Sequence, residues 1–327
     1  MSYDLDFERP LLDMDKRIQA LLKKGEAKLK PDERIQLREL QTQIERRTRE
    51  IYGSLAASQR VQVARHRQRP YAADYIKLMC DDFFELRGDR RFADDRAIIG
   101  GLASIEGRSV VLIGSQKGRE TKEKLERNFG LTHAEGYRKA QRLMRHAERF
   151  HLPVVTLIDT SGAAPDLEAE QRGIAQAIAE SLFVMAELRS PIVSVVTGEG
   201  GSGGALGIGV ADRILMFENS IYTVASPEAA ASILFRDNGQ WAAAANAMKI
   251  CAQDLMALGL IEEIIAEPLG GAHRDPATAA ASLKEAVLRH VGELEELSAD
   301  CLVERRYERY RKIGAYATEV QAIGALS

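Results

Sequence analysis

Apolar residues recur at helical spacing over the first seventy positions. Leu37, Leu40, Ile44 and Ile51 fall on one stripe, and Leu11, Ile18, Leu21 and Leu22 form an earlier one. Gly25 and Pro31 interrupt the pattern between them. Residues 1–70 therefore read as a helical hairpin, whose stripe packs either on a partner or on its own domain. From Tyr71 onward the texture changes. Ser109–Gly114, Pro153–Asp159, Pro191–Thr197 and Arg213–Phe217 are short β-branched runs of the kind buried in a sheet, and Ile221–Ala225 is a further candidate. Helical stretches at Gly136–Phe150 and Gly173–Leu188 lie between them, the second with Ile174, Ile178, Leu182, Met185 and Leu188 on one face. Strand–helix alternation of this kind predicts an α/β fold with a largely parallel sheet. Past Pro268 the chain reads as helical again, over Ala277–Leu297 and Val303–Ile313. The expected organisation is 1–70 helical, 71–276 α/β, and 277–327 C-terminal helices.

Composition narrows the functional classes. The 327 residues are 45% hydrophobic and 28% charged, with a net charge of −3, an ordinary globular balance that does not point to nucleic acid. Cys80, Cys251 and Cys301 are far apart, so neither a disulfide framework nor a zinc site is indicated. The charged start, with Asp4, Asp6, Glu8 and Arg9, does not read as a signal peptide, and no apolar run reaches the ~20 residues of a membrane span. A cytoplasmic protein is expected.

Two glycine-rich turns carry the candidate chemistry. Strand Pro191–Thr197 runs into Gly198-Glu199-Gly200-Gly201-Ser202-Gly203-Gly204-Ala205, with five glycines in seven positions. Each glycine costs about 1 kcal/mol against alanine in a helix interior, so their density argues for close backbone approach. With a helix over Ala205–Ala211, the amides of Gly203, Gly204 and Ala205 would lie at its N-terminus, where N–H groups lack partners and can hold an oxyanion. A tight strand-to-helix turn is the plainer alternative. Strand Pro153–Asp159 ends similarly, in Thr160-Ser161-Gly162-Ala163-Ala164-Pro165. In a parallel sheet the two turns share an edge.

Other chemistries are open or excluded on the same residues. Gly200-x-Ser202-x-Gly204 also fits the serine-hydrolase pattern, with Asp237, Asp254, His273 and His290 following in a workable order. The phosphate-binding G-x-x-x-x-G-K-[ST] motif is absent, and the dinucleotide fingerprint is matched only loosely. His133, His146 and His151 have no metal-ligand spacing. Arg60, Arg65, His66, Arg67 and Arg69 form one basic cluster, and Lys117, Arg119, Lys122, Lys124 and Arg127 another. Each reads either as a phosphate-binding patch or, more simply, as a solvated helix face.

Several longer stretches, in order, resemble one known family. They are Phe83–Arg90, Ile98–Leu102, Gln116–Gly130, Glu135–Ala140, Gly198–Ala205, Ser226–Glu228 and Glu267–Pro276. The chain resembles the alpha subunit of the carboxyltransferase component of acetyl-CoA carboxylase over roughly Arg69 to Pro276. That resemblance implies a crotonase-like spiral of β-β-α units. It implies CO2 transfer from carboxybiotin, carried on a partner protein, to a coenzyme A thioester, giving malonyl-CoA for fatty acid synthesis. The implied partners are a zinc-ribbon beta subunit, the biotin carboxyl carrier protein and biotin carboxylase, in an assembly of two alpha and two beta chains. No metal is implied in this chain. Gly203 and Gly204, with Ala205, are expected to form an oxyanion hole for the biotin carbonyl. Gly200, Gly201, Gly162 and Ala163 are expected to line the substrate site, and Lys117 and Arg119 to hold coenzyme A phosphates. The sequence departs from the family at Ala164, where tyrosine is usual, at Asp166 and Glu168, where glycines are usual, and at Ser115 and Ala225. A carboxyltransferase for another acyl-CoA, a stand-alone crotonase-type hydratase or thioesterase, and a non-catalytic scaffold or regulatory paralogue, which the altered first turn motivates, are the alternatives.

Overall fold

The computed structural model describes residues 3–314. Helices α1 (Arg9–Leu22) and α2 (Pro31–Tyr52) form an antiparallel hairpin. Proline stands in the first turn of each, and the Glu33 carboxylate accepts the Lys30 N–H at 3.0 Å where α2 begins. The two predicted stripes pack on each other, through Ile18, Leu21, Leu29, Leu37 and Leu40. Helix α3 (Ala57–Ala64) leaves the hairpin and buries Val61 and Ala64 against Ile221 and Ala245 of the main body.

The body begins with α4 (Ala72–Met79) and the strands β1 (Asp82–Glu85), β2 (Ile98–Ile105) and β3 (Arg108–Ser115). Next come α5 (Thr121–Glu126), α6 (Ala134–Arg149), β4 (Val154–Thr160), α7 (Leu167–Gln171), α8 (Ile174–Glu187), β5 (Ile192–Gly201) and α9 (Ser202–Leu206). The chain continues through β6 (Arg213–Phe217), β7 (Ile221–Thr223), α10 (Pro227–Phe235), α11 (Trp241–Ala247), α12 (Ala252–Ala257) and β8 (Glu263–Ile265). It closes with α13 (Pro276–Glu295) and α14 (Ala299–Arg311). The predicted C-terminal helices correspond to α13 and α14, and residues 315–327 lie outside the described part.

The sheet has the order β1-β2-β3-β4-β5-β6-β8, with β7 beside the end of β5. β1, β2 and β3 pair antiparallel, and the remaining pairs are parallel. Both faces of the central strands are covered, which is why those strands read as unbroken apolar runs. On one face Leu112, Val155, Leu157, Val193 and Val195 pack under α4 and α13. On the other, Val111, Ile113, Val154, Ile158 and Val196 pack under α6 and α8. Among the described residues no helix is long and apolar enough to cross a membrane.

Two local readings change. β5 runs on to Gly201, so Gly198, Gly200 and Gly201 belong to the strand rather than to a loop. The helix after it is the single turn Ser202–Leu206, not a helix over Ala205–Ala211. The chain turns away at Gly207, where a Cβ would lie 2.3 Å from the Tyr137 ring. C-terminal helix α14 is fastened by Arg306, fully buried, which donates to both oxygens of Asp212 and to the carbonyls of Met185, Leu188 and Ser190.

Candidate active site

β4 and β5 are parallel neighbours, so the turns that follow them meet at one edge of the sheet. The contact is backbone on backbone. A Cβ on Gly201 would lie 2.2 Å from the Ser161 carbonyl oxygen, and one on Gly204 would lie 2.3 Å from Gly162 C and 2.4 Å from Ala163 N. Glycine is required at both positions by this approach. The first turn is itself fixed. Thr160 Oγ1 lies 2.7 Å from the Gly130 carbonyl oxygen and 2.8 Å from that of Gly162, with one hydrogen to donate between them, and accepts the Gly162 N–H at 3.2 Å, and Ala163 forms a bridge with Thr132.

Helix α9 begins at Ser202, with Gly201 as its cap residue. In such a turn the N–H groups of Ser202, Gly203 and Gly204 have no acceptor within the helix, whereas the fourth residue, Ala205, reaches back to the cap carbonyl. Ala205 is fully buried and packs with Ile158 and Ile208. The open donors are therefore Gly203 and Gly204, joined by Ser202 rather than by Ala205. Gly200 is buried against the Tyr222 ring and does not face solvent. Beside Ser202 and Gly203 lies a cavity of about 370 Å³, with Leu206, Tyr222, Val224 and Ile313 among its mostly apolar lining. A pocket of a few hundred Å³ with a few polar groups at one end suits a small organic ligand.

Lys117 and Arg119 do not stand free. Lys117 Nζ donates to Asp159 Oδ1 at 2.7 Å and lies 3.7 Å from Glu199 Oε2. Burial opposes its charge, but the two carboxylates outweigh that and hold its pKa above the usual lysine value. Arg119 pairs with Asp74 and lies over the Tyr71 ring. The first basic cluster is committed in the same way. Arg60 donates to Asn219, Arg65 to Glu199 and Glu228, and Arg69 to Glu267. Arg127 pairs with Glu123, so Arg60, Arg65, Arg69, Lys117, Arg119 and Arg127 all have partners within the chain.

The serine-hydrolase pattern finds no base. Ser202 has a positive φ of 52° and is exposed. His273 is stacked on His66 with ring centroids 3.9 Å apart, and His290 bonds Glu263 at 2.6 Å. Both of the histidines following Ser202 are thus engaged elsewhere. Among the described residues no group of three or more His, Cys, Asp or Glu side chains gathers as a metal site. The departures in the first turn have local roles. Asp166 caps α7 by accepting the Ala169 N–H at 2.9 Å, lies 3.0 Å from His133 Nε2, and has its pKa lowered by those contacts, the backbone N–H foremost. Glu168 pairs with Arg172, and Ala164 is buried beside Tyr137.

Comparison with known proteins identifies the family. The family model for acetyl co-enzyme A carboxylase carboxyltransferase-like proteins matches residues 4–314. The chain is 52% identical over 314 residues to the acetyl-coenzyme A carboxylase carboxyl transferase subunit alpha of Prochlorococcus marinus (strain MIT 9211), covering 96% of this chain and 95% of that one. It is 51% identical over 312 residues to the same subunit of Stenotrophomonas maltophilia (strain R551-3), covering 95% and 98%. Among solved structures, the Pseudomonas malonate decarboxylase MdcD-MdcE hetero-dimer aligns with a TM-score of 0.58 at 15% identity, over 75% of this chain and 96% of that one. Transcarboxylase 12S with methylmalonyl-coenzyme A bound aligns with a TM-score of 0.57 at 18% identity, over 70% and 42%. These likenesses show that the chain shares the α/β fold of those proteins. With a matching family model over nearly its whole length and close relatives of the alpha type, the chain belongs to the acetyl co-enzyme A carboxylase carboxyltransferase family, as an alpha-type transferase subunit.

Proposed function

We propose that this chain forms one half of a carboxyltransferase site that moves CO2 from carboxybiotin on a carrier protein to acetyl-CoA, giving malonyl-CoA for fatty acid synthesis. The other half comes from a zinc-ribbon beta subunit, in an assembly of two alpha and two beta chains that works with biotin carboxylase in the cytoplasm. The observation that carries the reading is the pair of successive N–H groups of Gly203, which lines the apolar cavity, and Gly204, which is packed against Gly162 and Ala163. Biotin supplies a ureido group that carries the carboxyl and, once that is lost, develops negative charge on its oxygen. Fixed amide donors outside bulk water are suited to such charge, and placement needs no side-chain base in this chain. The cavity beside those donors has the size and apolar lining to admit a small bicyclic ring.

The same reading assigns the dividing lines at 70 and 276 to segments of different use, with the central segment bearing the site. Leu206, Val224, Ile233 and Leu234 are large apolar side chains exposed near the cavity and on α10, which suits a surface covered by another subunit. Burial pushes the pKa of the Cys80 and Cys251 thiols up to about 11, so neither is a ready thiolate nucleophile.

The test is reconstitution. Biotin-dependent decarboxylation of malonyl-CoA, the reverse reaction, is expected from the chain mixed with a beta subunit and not from the chain alone. Turnover of an acyl-CoA by the chain alone would support a hydratase or thioesterase instead. Preference for a different carboxyacyl-CoA in the mixed assay would reassign the substrate.

A further inference from the structure

Asp159 stands alone on β4 opposite three residues of β5. Pairing runs Ile158 to Val196 and resumes at Thr160 to Gly200, so Thr197, Gly198 and Glu199 bulge out of register. A bulge re-aims the strand beyond it and leaves backbone groups off the ladder, and buried groups of that kind need other partners. Here charged side chains provide them. Arg69 Nε donates to the Thr197 carbonyl at 2.7 Å, and Asp159 Oδ1 accepts the Glu199 N–H at 3.0 Å. The same Asp159 oxygen accepts from Lys117 Nζ at 2.7 Å, while the Glu199 carboxylate takes Arg65 at 2.6 and 2.9 Å as well as Lys117 at 3.7 Å. Asp159 and Glu199 are almost completely buried. Space is left for this cluster by glycines. A Cβ on Gly198 would lie 2.6 Å from Asp159 Oδ1, and one on Gly130 would lie 2.7 Å from Lys117 Cγ.

The bulge leads directly into Gly201 and Gly204, whose close contacts with the first turn leave no slack. Displacement at the bulge is therefore carried into the amides of Gly203 and Gly204. Resting on the function proposed above, we infer that Lys117 is a positioning residue of the carboxyltransferase site. Its ammonium locks Asp159 and Glu199 together and so holds the bulge that sets where the Gly203 and Gly204 N–H groups point. Without it, Asp159 keeps a buried negative charge and loses the one cation that hydrogen-bonds to it, and the bulge rearranges to relieve it.

The experiment uses the full assembly with the beta subunit and follows biotin-dependent decarboxylation of malonyl-CoA and of malonyl-dephospho-CoA. Lys117→Met is expected to lower kcat by about 10- to 100-fold, with KM for malonyl-CoA and the preference over the dephospho substrate within about twofold of wild type. The double variant Lys117→Met/Asp159→Asn, which removes both charges, is expected to recover part of kcat yet to stay about fivefold or more below wild type. A raised KM with kcat intact and the dephospho preference lost would overturn the inference, because Lys117 would then hold a coenzyme A phosphate. Wild-type kcat in Lys117→Met would overturn it too. Should that variant not assemble, wild-type kcat in the double variant would do the same. An inactive wild-type assembly would instead refute the underlying function, and the positioning role with it.

Discussion

Gly204→Ala is the sharpest structural perturbation of the proposed site. The added Cβ would lie 2.3 Å from Gly162 C, 2.4 Å from Ala163 N and 2.7 Å from Gly162 Cα, where ordinary contact begins near 3.4 Å. About 1 Å of separation between the two turns is therefore needed. The first turn is pinned by Thr160 and by the Thr132 bridge, so α9 has to give way. A 1 Å misplacement of a reacting geometry costs on the order of 10²-fold in rate, or about 2.7 kcal/mol of transition-state stabilisation. Overpacking destabilises by about 1–3 kcal/mol, partly offset by the gain of about 1 kcal/mol from replacing a helical glycine. The folded assembly should survive with a melting temperature a few degrees lower. Gly203→Ala is the internal control, since its Cβ meets only Ile178 Cδ1 at 3.8 Å. In biotin-dependent malonyl-CoA decarboxylation with the beta subunit, Gly204→Ala should lose about 100-fold in kcat and Gly203→Ala no more than about threefold. Wild-type kcat in a correctly assembled Gly204→Ala protein would refute the reasoning.

Other expectations follow from the same contacts. Ser202→Ala should retain kcat within about threefold, whereas a loss of a thousandfold or more would restore the nucleophilic-serine reading. Arg306→Met leaves Asp212 buried without its cation and should cost about 3–5 kcal/mol, read as a lower melting temperature with faster amide exchange in α14. His273 is held neutral, its pKa pushed down to about 2 by burial first and then by His66, Arg274 and Arg69. In the unfolded chain it takes up a proton near pH 6.5, so below that pH the unfolded state binds more protons and stability drops as the pH is lowered. The slope is about 1.4 kcal/mol per pH unit, and burial acts on His66 in the same direction. Melting scans from pH 7.5 to 5.5 should show a smaller decline in His273→Phe than in wild type, and equal declines would contradict this origin.

The strands that were legible are those buried on both faces. β3, β4 and β6 are continuous apolar runs, and their ends fell within about a residue of expectation. β2 was not read as a strand because Gly100 and Gly101 lie within it. Both are there for packing, since a Cβ on Gly101 would lie 2.0 Å from the Phe84 carbonyl oxygen and one on Gly100 would lie 2.6 Å from Leu143 Cδ1. β1 and β8 are only four and three residues long, too short to give a period. At the site, glycine density announced the close approach of two turns. The charged clamp beneath it was not legible, because Lys117 and Asp159 are 42 residues apart, Arg65 and Glu199 134, and Arg69 and Glu267 198. A cluster of basic residues looks the same in sequence whether its partners are phosphates or distant carboxylates, and only the fold brings the carboxylates in. The shift from Ala205 to Ser202 has a similar cause. Where the one-turn helix begins depends on how far β5 runs past its bulge, and the glycine string alone does not fix that.

The central claim is that the Gly203 and Gly204 amides receive a negatively charged carbonyl oxygen at a subunit boundary. A structure of the assembly with the beta subunit and a biotinyl-lysine ligand tests this directly. The ureido oxygen is expected about 3 Å from both amide nitrogens, with the ring in the cavity beside Ser202. Biotin bound elsewhere, with those amides donating to carbonyls of the protein itself, would contradict it.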